Sequence, residues 1–301
     1  MSFVEFSPEQ PFGVYLFDYF NQLYTFIVGK PATDFHFIKG ITPLSTLNEV
    51  VIGCITYFVV IFGGQFLLQN ASPMKCKTLN QIHNLFLTVI SFVLLVLTIE
   101  QLFPKLFRHG LYYTICSEQA WTQELELLYY LNYLVKYYEL VDTVFLVLKK
   151  KKLEFLHYFH HSMTMALCYT QLVGRTTVSW VPIVLNLTVH VLMYYYYFRT
   201  ASGAKIWWKQ YLTTMQIIQF IIDLIVIYTC TYSYYAYTYN NYLPNFGTCA
   251  GTESAAAFGC AILTSYLLLF INFYRITYKK KHVAAKTPAT KTDTIRKSKK
   301  I

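Results

Sequence analysis

Long apolar runs, separated by short polar stretches, repeat along this chain. Seven of them have close to the ~20 residues that an α-helix needs to cross a bilayer core. They cover residues 50–68, 84–103, 127–148, 153–172, 179–198, 211–230 and 255–274. None shows the alternation of apolar and polar residues that is typical of a transmembrane β-barrel. The pattern therefore predicts an all-α membrane protein with seven transmembrane helices.

The predicted spans divide the chain into three parts. Residues 1–49 form an N-terminal segment, in which an aromatic-rich stretch at 13–28 is interrupted by polar residues and suits the membrane interface. Residues 50–278 form a single transmembrane domain. Residues 279–301 form a basic tail without apolar periodicity, which predicts disorder. The N-terminus lacks the pattern of a removable signal peptide.

Composition supports a membrane protein, and charge indicates its orientation. Of the 301 residues, 55% are hydrophobic and 13% are charged, against about 25% charged in an ordinary soluble domain. The net charge of +10 does not indicate nucleic-acid binding, because the basic residues lie in short runs between apolar segments. With the C-terminus in the cytosol, 19 Lys and Arg residues are cytosolic and 5 are lumenal. This asymmetry predicts a lumenal N-terminus.

The C-terminus and two cysteines indicate the compartment. The last five residues, 297–301, carry lysines third and fifth from the end and resemble the dilysine signal that returns membrane proteins to the endoplasmic reticulum. A polybasic tail that only sets topology is the alternative. Cys116 and Cys249 fall inside predicted lumenal loops, where disulfides form, so we expect a disulfide between them. Two free thiols are the alternative there.

Four consecutive predicted spans each carry a polar stripe at helical spacing. Ionisable residues inside a span are costly and normally mark a functional site. The stripes comprise Lys136, Glu139, Asp142 and Thr143; His157, His160 and His161; Asn186, His190, Met193 or Tyr194, and Tyr197; and Thr213, Gln216, Gln219 and Asp223. Within each stripe the spacing places the residues on or beside one helical face. Because such faces are satisfied by facing one another, the stripes predict a shared polar cavity.

The depth of the histidines favours an acyl-CoA as ligand. His157 follows Lys152 by five residues, which places the histidines within roughly 10 Å of the cytosolic surface. A polar headgroup could then enter from the cytosol while an apolar tail lies deeper among apolar and aromatic residues. Cytosolic basic residues are candidates to hold the CoA phosphates, although topology alone would also place them there: Lys149, Lys152, Arg199 and Arg275.

These stripes resemble the ordered signature blocks of the ELO family of very-long-chain fatty acid elongases. The resemblance covers residues 136–220 in order, spacing and residue type, and the sequence around His157 and Asn186 is similar to fungal members. It implies seven spans, six of them forming a barrel around an acyl-CoA tunnel that is closed at the lumenal end. It also implies 3-ketoacyl-CoA synthase activity in the endoplasmic reticulum.

The resemblance also suggests roles for the polar residues. His160 would be the nucleophile that accepts the acyl group in a ping-pong reaction, with His190 facing it across the tunnel. His157 and His161 would handle protons and orient the substrate. Asn186 with Gln216 or Gln219 would donate hydrogen bonds to the developing oxyanion. A supporting polar network behind the histidines would comprise Lys136, Glu139, Asp142, Thr143, Tyr194 and Tyr197.

The expected substrates are acyl-CoA and malonyl-CoA, with no cofactor and no metal. The 3-ketoacyl-CoA product implies a ketoacyl-CoA reductase, a dehydratase and an enoyl reductase as partners, besides membrane lipid. The oligomeric state stays open, with a homodimer as one candidate.

Three alternatives to this interpretation remain open. Cys168 lies seven residues after His161 on the same helical face but about two turns deeper, so a Cys/His nucleophile is conceivable. The HxxHH spacing also occurs in membrane di-iron desaturases and hydroxylases, but the remaining histidines are scattered outside any box. A transporter with intramembrane polar residues is the non-enzymatic alternative.

Overall fold

The structure is a computed structural model that describes residues 6–240 and 242–279. Within these residues it is helical and contains no strand. Nine α-helices form there: α1 Leu16–Val28, α2 Leu47–Leu67, α3 Lys77–Cys116, α4 Gln123–Glu139, α5 Val141–Leu148, α6 Phe155–Val173, α7 Trp180–Ala201, α8 Lys209–Tyr239 and α9 Glu253–Tyr274. The predicted basic tail beyond residue 279, with its dilysine sequence, lies outside the described residues.

Five helices are long and apolar enough to cross a membrane: Leu47–Leu67, Lys77–Cys116, Thr177–Ala201, Lys209–Tyr239 and Glu253–Tyr278. The chain is therefore a multi-pass membrane protein. The other two predicted spans correspond to α4 with α5 and to α6. The break at Leu140 leaves α4 with 17 residues and α5 with 8, so each is shorter than a span, and the histidines of α6 lower its hydropathy.

The predicted third span is not one continuous helix, because α4 ends and α5 begins around Leu140. The Leu140 amide donates to the Tyr137 carbonyl at 3.2 Å, and the Thr143 amide donates to the Leu140 carbonyl at 3.2 Å. Both bonds span three residues instead of four, so the backbone is wound more tightly here than in an α-helix. This local tightening rotates the residues after 140 relative to the face that carries Lys136 and Glu139.

The helix starts show why particular residues begin these elements. Thr46 and Glu49 form a reciprocal capping box at the start of α2, and the Thr252 hydroxyl accepts from the Ala255 amide at the start of α9. Such caps satisfy amides that have no partner within the helix. Gly110 interrupts α3 with a φ of 78°, a left-handed conformation that glycine adopts without steric cost.

The main helix contacts follow a closed order. α3 packs on α7, α7 on α8, α8 on α9, α9 on α6, α6 on α4, and α4 again on α3. α2 lies outside this set and packs against α6 and α5. The space between the six helices is where the polar stripes of α4, α6, α7 and α8 can meet.

A disulfide joins Cys116, at the end of α3, to Cys249, in the segment between α8 and α9. The Ala250 amide also donates to the Cys116 carbonyl at 2.8 Å. These contacts define one end of the molecule, called here the disulfide end. The opposite end, where α5 meets Lys149–Lys152, is called the lysine end.

Candidate functional site

Four side chains from α4 and α7 form a closed hydrogen-bonded ring, called here the Lys136 network. Lys136 Nζ donates to Glu139 Oε1 at 2.9 Å and to Asn186 Oδ1 at 2.8 Å. Asn186 Nδ2 lies 3.1 Å from His190 Nε2, and His190 Nδ1 lies 3.1 Å from Glu139 Oε1. When Nδ1 carries the proton, His190 donates to the carboxylate and accepts from the amide. Each member thus orients the next, and the ring positions His190 and Asn186.

Asp142 makes a second polar cluster on the same side of the bundle. Its Oδ1 lies 2.8 Å from His83 Nε2 of α3, and its Oδ2 accepts from the Tyr194 hydroxyl of α7 at 2.8 Å. Thr143 lies outside both clusters, and its hydroxyl is 2.8 Å from the Tyr57 hydroxyl of α2. The tightened turn at Leu140 accounts for this separation of neighbouring residues.

The three histidines of α6 lie together because helical spacing stacks them. The ring centroids of His157 and His161 are 4.5 Å apart, and those of His160 and His161 are 5.5 Å apart. The His160 ring packs against Tyr266 at 4.7 Å and Phe270 at 5.8 Å, both on α9. The Tyr266 hydroxyl also donates to the His160 carbonyl at 3.1 Å. Aromatic packing and this bond hold His160 in one orientation.

Two cavities of different character meet at His160. The apolar cavity runs from there to the disulfide end and has an empty volume of about 1210 Å³, open space at its mouth included. The polar cavity runs to the lysine end, where Lys149, Lys152 and Lys209 line it. Four residues line both cavities: His160, Asn186, Gln219 and Phe220. The junction therefore offers an imidazole and two amides between an apolar channel and a basic opening.

All seven residues that the sequence suggests as catalytic line the polar cavity: His157, His160, His161, Asn186, His190, Gln216 and Gln219. Asp142 and Tyr197 line it as well, and Lys136 lines the apolar cavity. Gln216 Nε2 lies 3.5 Å from Met193 Sδ, so its amide is not engaged by a strong acceptor.

Of the four predicted CoA-binding residues, two line the polar cavity and two do not. Lys149 and Lys152 line the polar cavity. Lys149 Nζ donates to Asn80 Oδ1 at 2.6 Å. Arg199 is exposed and donates to the Tyr195 hydroxyl at 3.1 Å, and Arg275 directly follows α9. Neither arginine is among the residues that line the two cavities.

Several site residues are absent from the sequence interpretation. His83 lies one residue before the predicted second span, and the sequence interpretation assigns it no role. Tyr266 is one of 28 tyrosines, so nothing in the sequence distinguishes it. Lys209 carries a signal that could have been used, because it starts the helix that bears Gln216 and Gln219.

Potential metal ligands converge at a different place. Within the described ranges, one set of three His, Cys, Asp or Glu ligand atoms lies within 4.8 Å of one another: Cys116, Cys230 and Cys249. Two of these sulfurs are joined in the disulfide. The site histidines are not part of such a set within these ranges.

Comparison with known proteins gives consistent matches over most of the chain. The profile of the ELO family, described as the GNS1/SUR4 family, matches residues 42–286. A Schizosaccharomyces pombe protein provisionally named fatty acid elongase 1 is 50% identical over 91% of this chain and 82% of its own. Fatty acid elongase A of Dictyostelium discoideum is 36% identical over 82% of this chain and 89% of its own. Long chain fatty acid elongase 1 of Caenorhabditis elegans is 31% identical, with 74% and 76% covered.

Proposed function

Because this chain belongs to the ELO (GNS1/SUR4) family and is a multi-pass membrane protein of fatty acid elongation, we propose that it catalyses the condensation step. An acyl-CoA and malonyl-CoA would give a 3-ketoacyl-CoA, CO2 and CoA. The observation that carries the proposal is the meeting of an apolar and a polar cavity at His160. In this proposal the acyl chain would lie in the first cavity and the CoA headgroup in the second, with the thioester carbon beside the imidazole.

The proposed chemistry has two halves. A ring nitrogen of His160 attacks the acyl carbonyl, the carbon–sulfur bond breaks, and CoA leaves with a proton. Malonyl-CoA then occupies the same polar cavity and loses CO2 to give an enolate. The enolate carbon attacks the acyl-imidazole, the carbon–nitrogen bond breaks, and the electron pair returns to the ring nitrogen as the imidazole regains from solvent the proton that left with CoA. Soluble condensing enzymes place a cysteine in this role, and Cys168→Ser retaining activity would argue against a Cys168 nucleophile.

The residues around the junction support these steps. Asn186 and Gln219 line both cavities, which supports the proposal that their amides donate to the oxyanion that forms at the thioester carbonyl. The Lys136 network fixes His190 and Asn186. We assign proton handling to His157, His161 and His190, which line the polar cavity.

CoA phosphates would bind at the lysine end. Lys149, Lys152 and Lys209 line the polar cavity there, and a cluster of ammonium groups attracts phosphate. Arg199 and Arg275 follow or end helices that point to the same end, so we retain them as residues of the outer rim.

We further propose the seven-span architecture with six helices around the substrate tunnel and α2 outside it. The closed packing order of α3, α7, α8, α9, α6 and α4 supports it. Residues 50–278 would be the catalytic domain, and the Lys/Arg asymmetry supports a lumenal N-terminus and a cytosolic C-terminus in the endoplasmic reticulum. The reductases and dehydratase that complete an elongation cycle would act on the product.

Condensation is tested with the protein in microsomes, labelled malonyl-CoA and a ladder of acyl-CoA lengths. We expect product that requires both substrates, and a loss of at least about a hundredfold in His160→Ala. Without malonyl-CoA, the wild type should release one CoA per protein and gain the mass of one acyl group, whereas His160→Ala should do neither.

His109→Ala is the matched control, because His109 is exposed on α3 and lies outside both cavities. Full activity in His160→Ala would contradict the nucleophile assignment. Iron in the purified protein, with no incorporation at any chain length, would favour the di-iron alternative instead.

A further inference from the structure

The wall of the apolar cavity contains several polar side chains that the proposed condensation does not use, and two of them are a buried carboxyl group and a buried carboxamide group. Asp223 of α8 and Asn132 of α4 both line this cavity. They are 0% and 2% exposed, respectively. An apolar acyl chain cannot form a hydrogen bond with either group, and burying them without hydrogen-bond partners is unfavourable.

Both side chains have an oxygen without a protein partner. Among the described residues, neither Asp223 Oδ1 nor Asn132 Oδ1 has a hydrogen-bond donor within reach. Their remaining contacts are long: Gln219 Nε2 lies 3.5 Å from Asp223 Oδ2, and Asn132 Nδ2 lies 3.8 Å from Cys168 Sγ. These contacts are too weak to account for the presence of the two groups by a structural role.

The other buried carboxylates of the described chain provide a comparison. Glu100, Glu126 and Glu139 are the remaining buried acidic side chains there. Each accepts at least two hydrogen bonds, at 2.5 to 3.1 Å, from backbone or side-chain donors. Asp223 alone among these four has one long contact and one unpartnered oxygen. Asp223 therefore lacks the hydrogen-bond donors that the other three buried carboxylates have.

Asp223 and Asn132 both lie on the side of the junction that faces the disulfide end, because both line the apolar cavity and neither lines the polar cavity. Asp223 is one helical turn beyond Gln219 on α8, and Asn132 is one turn before Lys136 on α4. These two helices run in opposite directions, so both steps lead toward the disulfide end. Four helical residues rise about 6 Å, which corresponds to roughly five bonds of an extended chain beyond Gln219 at the junction.

We propose that Asp223 and Asn132 form a polar subsite for a hydroxyl group on the acyl chain, so that the protein accepts hydroxylated acyl-CoA. This inference rests on the proposed function. A hydroxyl can donate to the free oxygen of Asp223 or Asn132, and it can also accept from a protonated carboxyl group. A methylene group can do neither. An acyl chain with its hydroxyl about five carbons from the thioester satisfies the subsite, whereas an unsubstituted chain leaves it unpaired.

The test compares palmitoyl-CoA with a positional series of monohydroxypalmitoyl-CoA as substrates for the full-length protein in microsomes. For the wild type we expect kcat/KM to favour the hydroxylated chain by roughly tenfold when the hydroxyl lies near the fifth carbon. The preference should disappear when the hydroxyl lies at the chain end. Asp223→Leu should abolish the preference, and Asp223→Asn, which keeps an acceptor oxygen, should retain part of it.

Thr229→Val is the control, because Thr229 lies on the exposed face of the same helix and should keep the wild-type ratio. Asn132→Leu gives a second test from another helix should Asp223→Leu fail to fold. A wild-type ratio of one or less at every position, or an unchanged ratio in Asp223→Leu, overturns the subsite.

Binding separates the subsite from the condensation reaction. Competition between the same acyl-CoAs for the purified protein measures the preference without turnover. Condensation of palmitoyl-CoA without any hydroxyl preference would retain the proposed function and reject the subsite. Hydroxyl-dependent binding without condensation at any chain length would retain the subsite and reject the proposed function.

Discussion

At the scale of single residues, the hydrogen-bond partners of the buried polar side chains explain how the site is held in place. Lys136 and Glu139 are both 2% exposed and are held at 2.9 Å, with Asn186 and His190 completing the ring. A buried ion pair of this kind adds little to stability compared with apolar residues, but removing one member leaves the other without compensation. The network is therefore best understood as a device that positions His190 and Asn186.

Lys136→Met should lower both stability and activity. The free energy of unfolding should fall by about 3 kcal/mol, because Glu139 loses its ammonium partner inside the bundle. The double variant Lys136→Met/Glu139→Gln should recover much of this loss, measured as the midpoint of thermal inactivation in detergent. Its condensation activity should stay low because His190 then lacks a charged acceptor. Recovery of full activity in the double variant would show that the network is not needed for positioning.

His83 is the residue whose role the structure adds. Replacing it with alanine removes the donor to Asp142 Oδ1 and leaves Tyr194 as the one remaining side-chain partner that the structure gives this carboxylate. We expect activity in His83→Ala to fall by roughly tenfold, in line with the loss of one charge-assisted hydrogen bond. Tyr194→Phe, which removes the opposite donor, should have an effect of similar size. If His83→Ala behaves like His109→Ala, the cluster has no part in the reaction.

At the scale of elements, the helices are brought together by close approaches that small residues permit. Gly174 follows α6 and lies against the start of α9. A Cβ atom added there would lie 2.7 Å from Ala255 Cβ and 2.8 Å from Thr252 Oγ1. The Gly174 backbone has a φ of −77°, so the constraint is space and not conformation. Contact between α6 and α9 matters for the site because α9 supplies the aromatic residues that hold His160.

Gly174→Ala should therefore destabilise the protein by about 1 to 3 kcal/mol, the usual cost of forcing an extra methyl group into a packed contact. The control is Gly63→Ala in α2, because a Cβ atom at that position meets nothing within 4 Å. Thermal inactivation of the two variants in the same detergent makes the comparison. Equal thermal-inactivation midpoints for the two variants would mean that the α6–α9 contact accommodates the added methyl group without loss of stability.

At the scale of the whole molecule, the outer surface and the disulfide constrain the fold. Large apolar side chains are exposed along α2, among them Ile52, Val59 and Phe66. Such a continuous apolar surface is unusual on a soluble monomer and is natural in contact with lipid. At the disulfide end, the bond between Cys116 and Cys249 joins residues 133 positions apart in the sequence.

Loss of this disulfide should weaken the molecule globally. Closing a long loop lowers the entropy of the unfolded chain, so Cys116→Ser should lower the free energy of unfolding by about 2 to 4 kcal/mol. Cys54→Ser is the control, since Cys54 is a free cysteine on α2. Thermal inactivation with and without reductant distinguishes the variants. A wild type that is insensitive to reductant and equal to Cys116→Ser would contradict a stabilising role.

The sequence by itself determined the helical membrane character, the polar stripes and the family. These features depend on local regularities: the length of apolar runs, the 3.6-residue period and the order of motifs. Each can be read within a window of one helix. The structure brings most members of the four stripes to the two cavities, but not Thr143.

Only the tertiary structure decided which residues of different helices meet. After the tightened turn at Leu140, Thr143 contacts Tyr57, and Asp142 lies between His83 and Tyr194. The meeting of two cavities at His160 and the unpartnered oxygen of Asp223 likewise depend on neighbours far apart in the chain. Periodicity specifies the face that a helix presents, but the rotation and partner of that face are set by packing among all the helices at once.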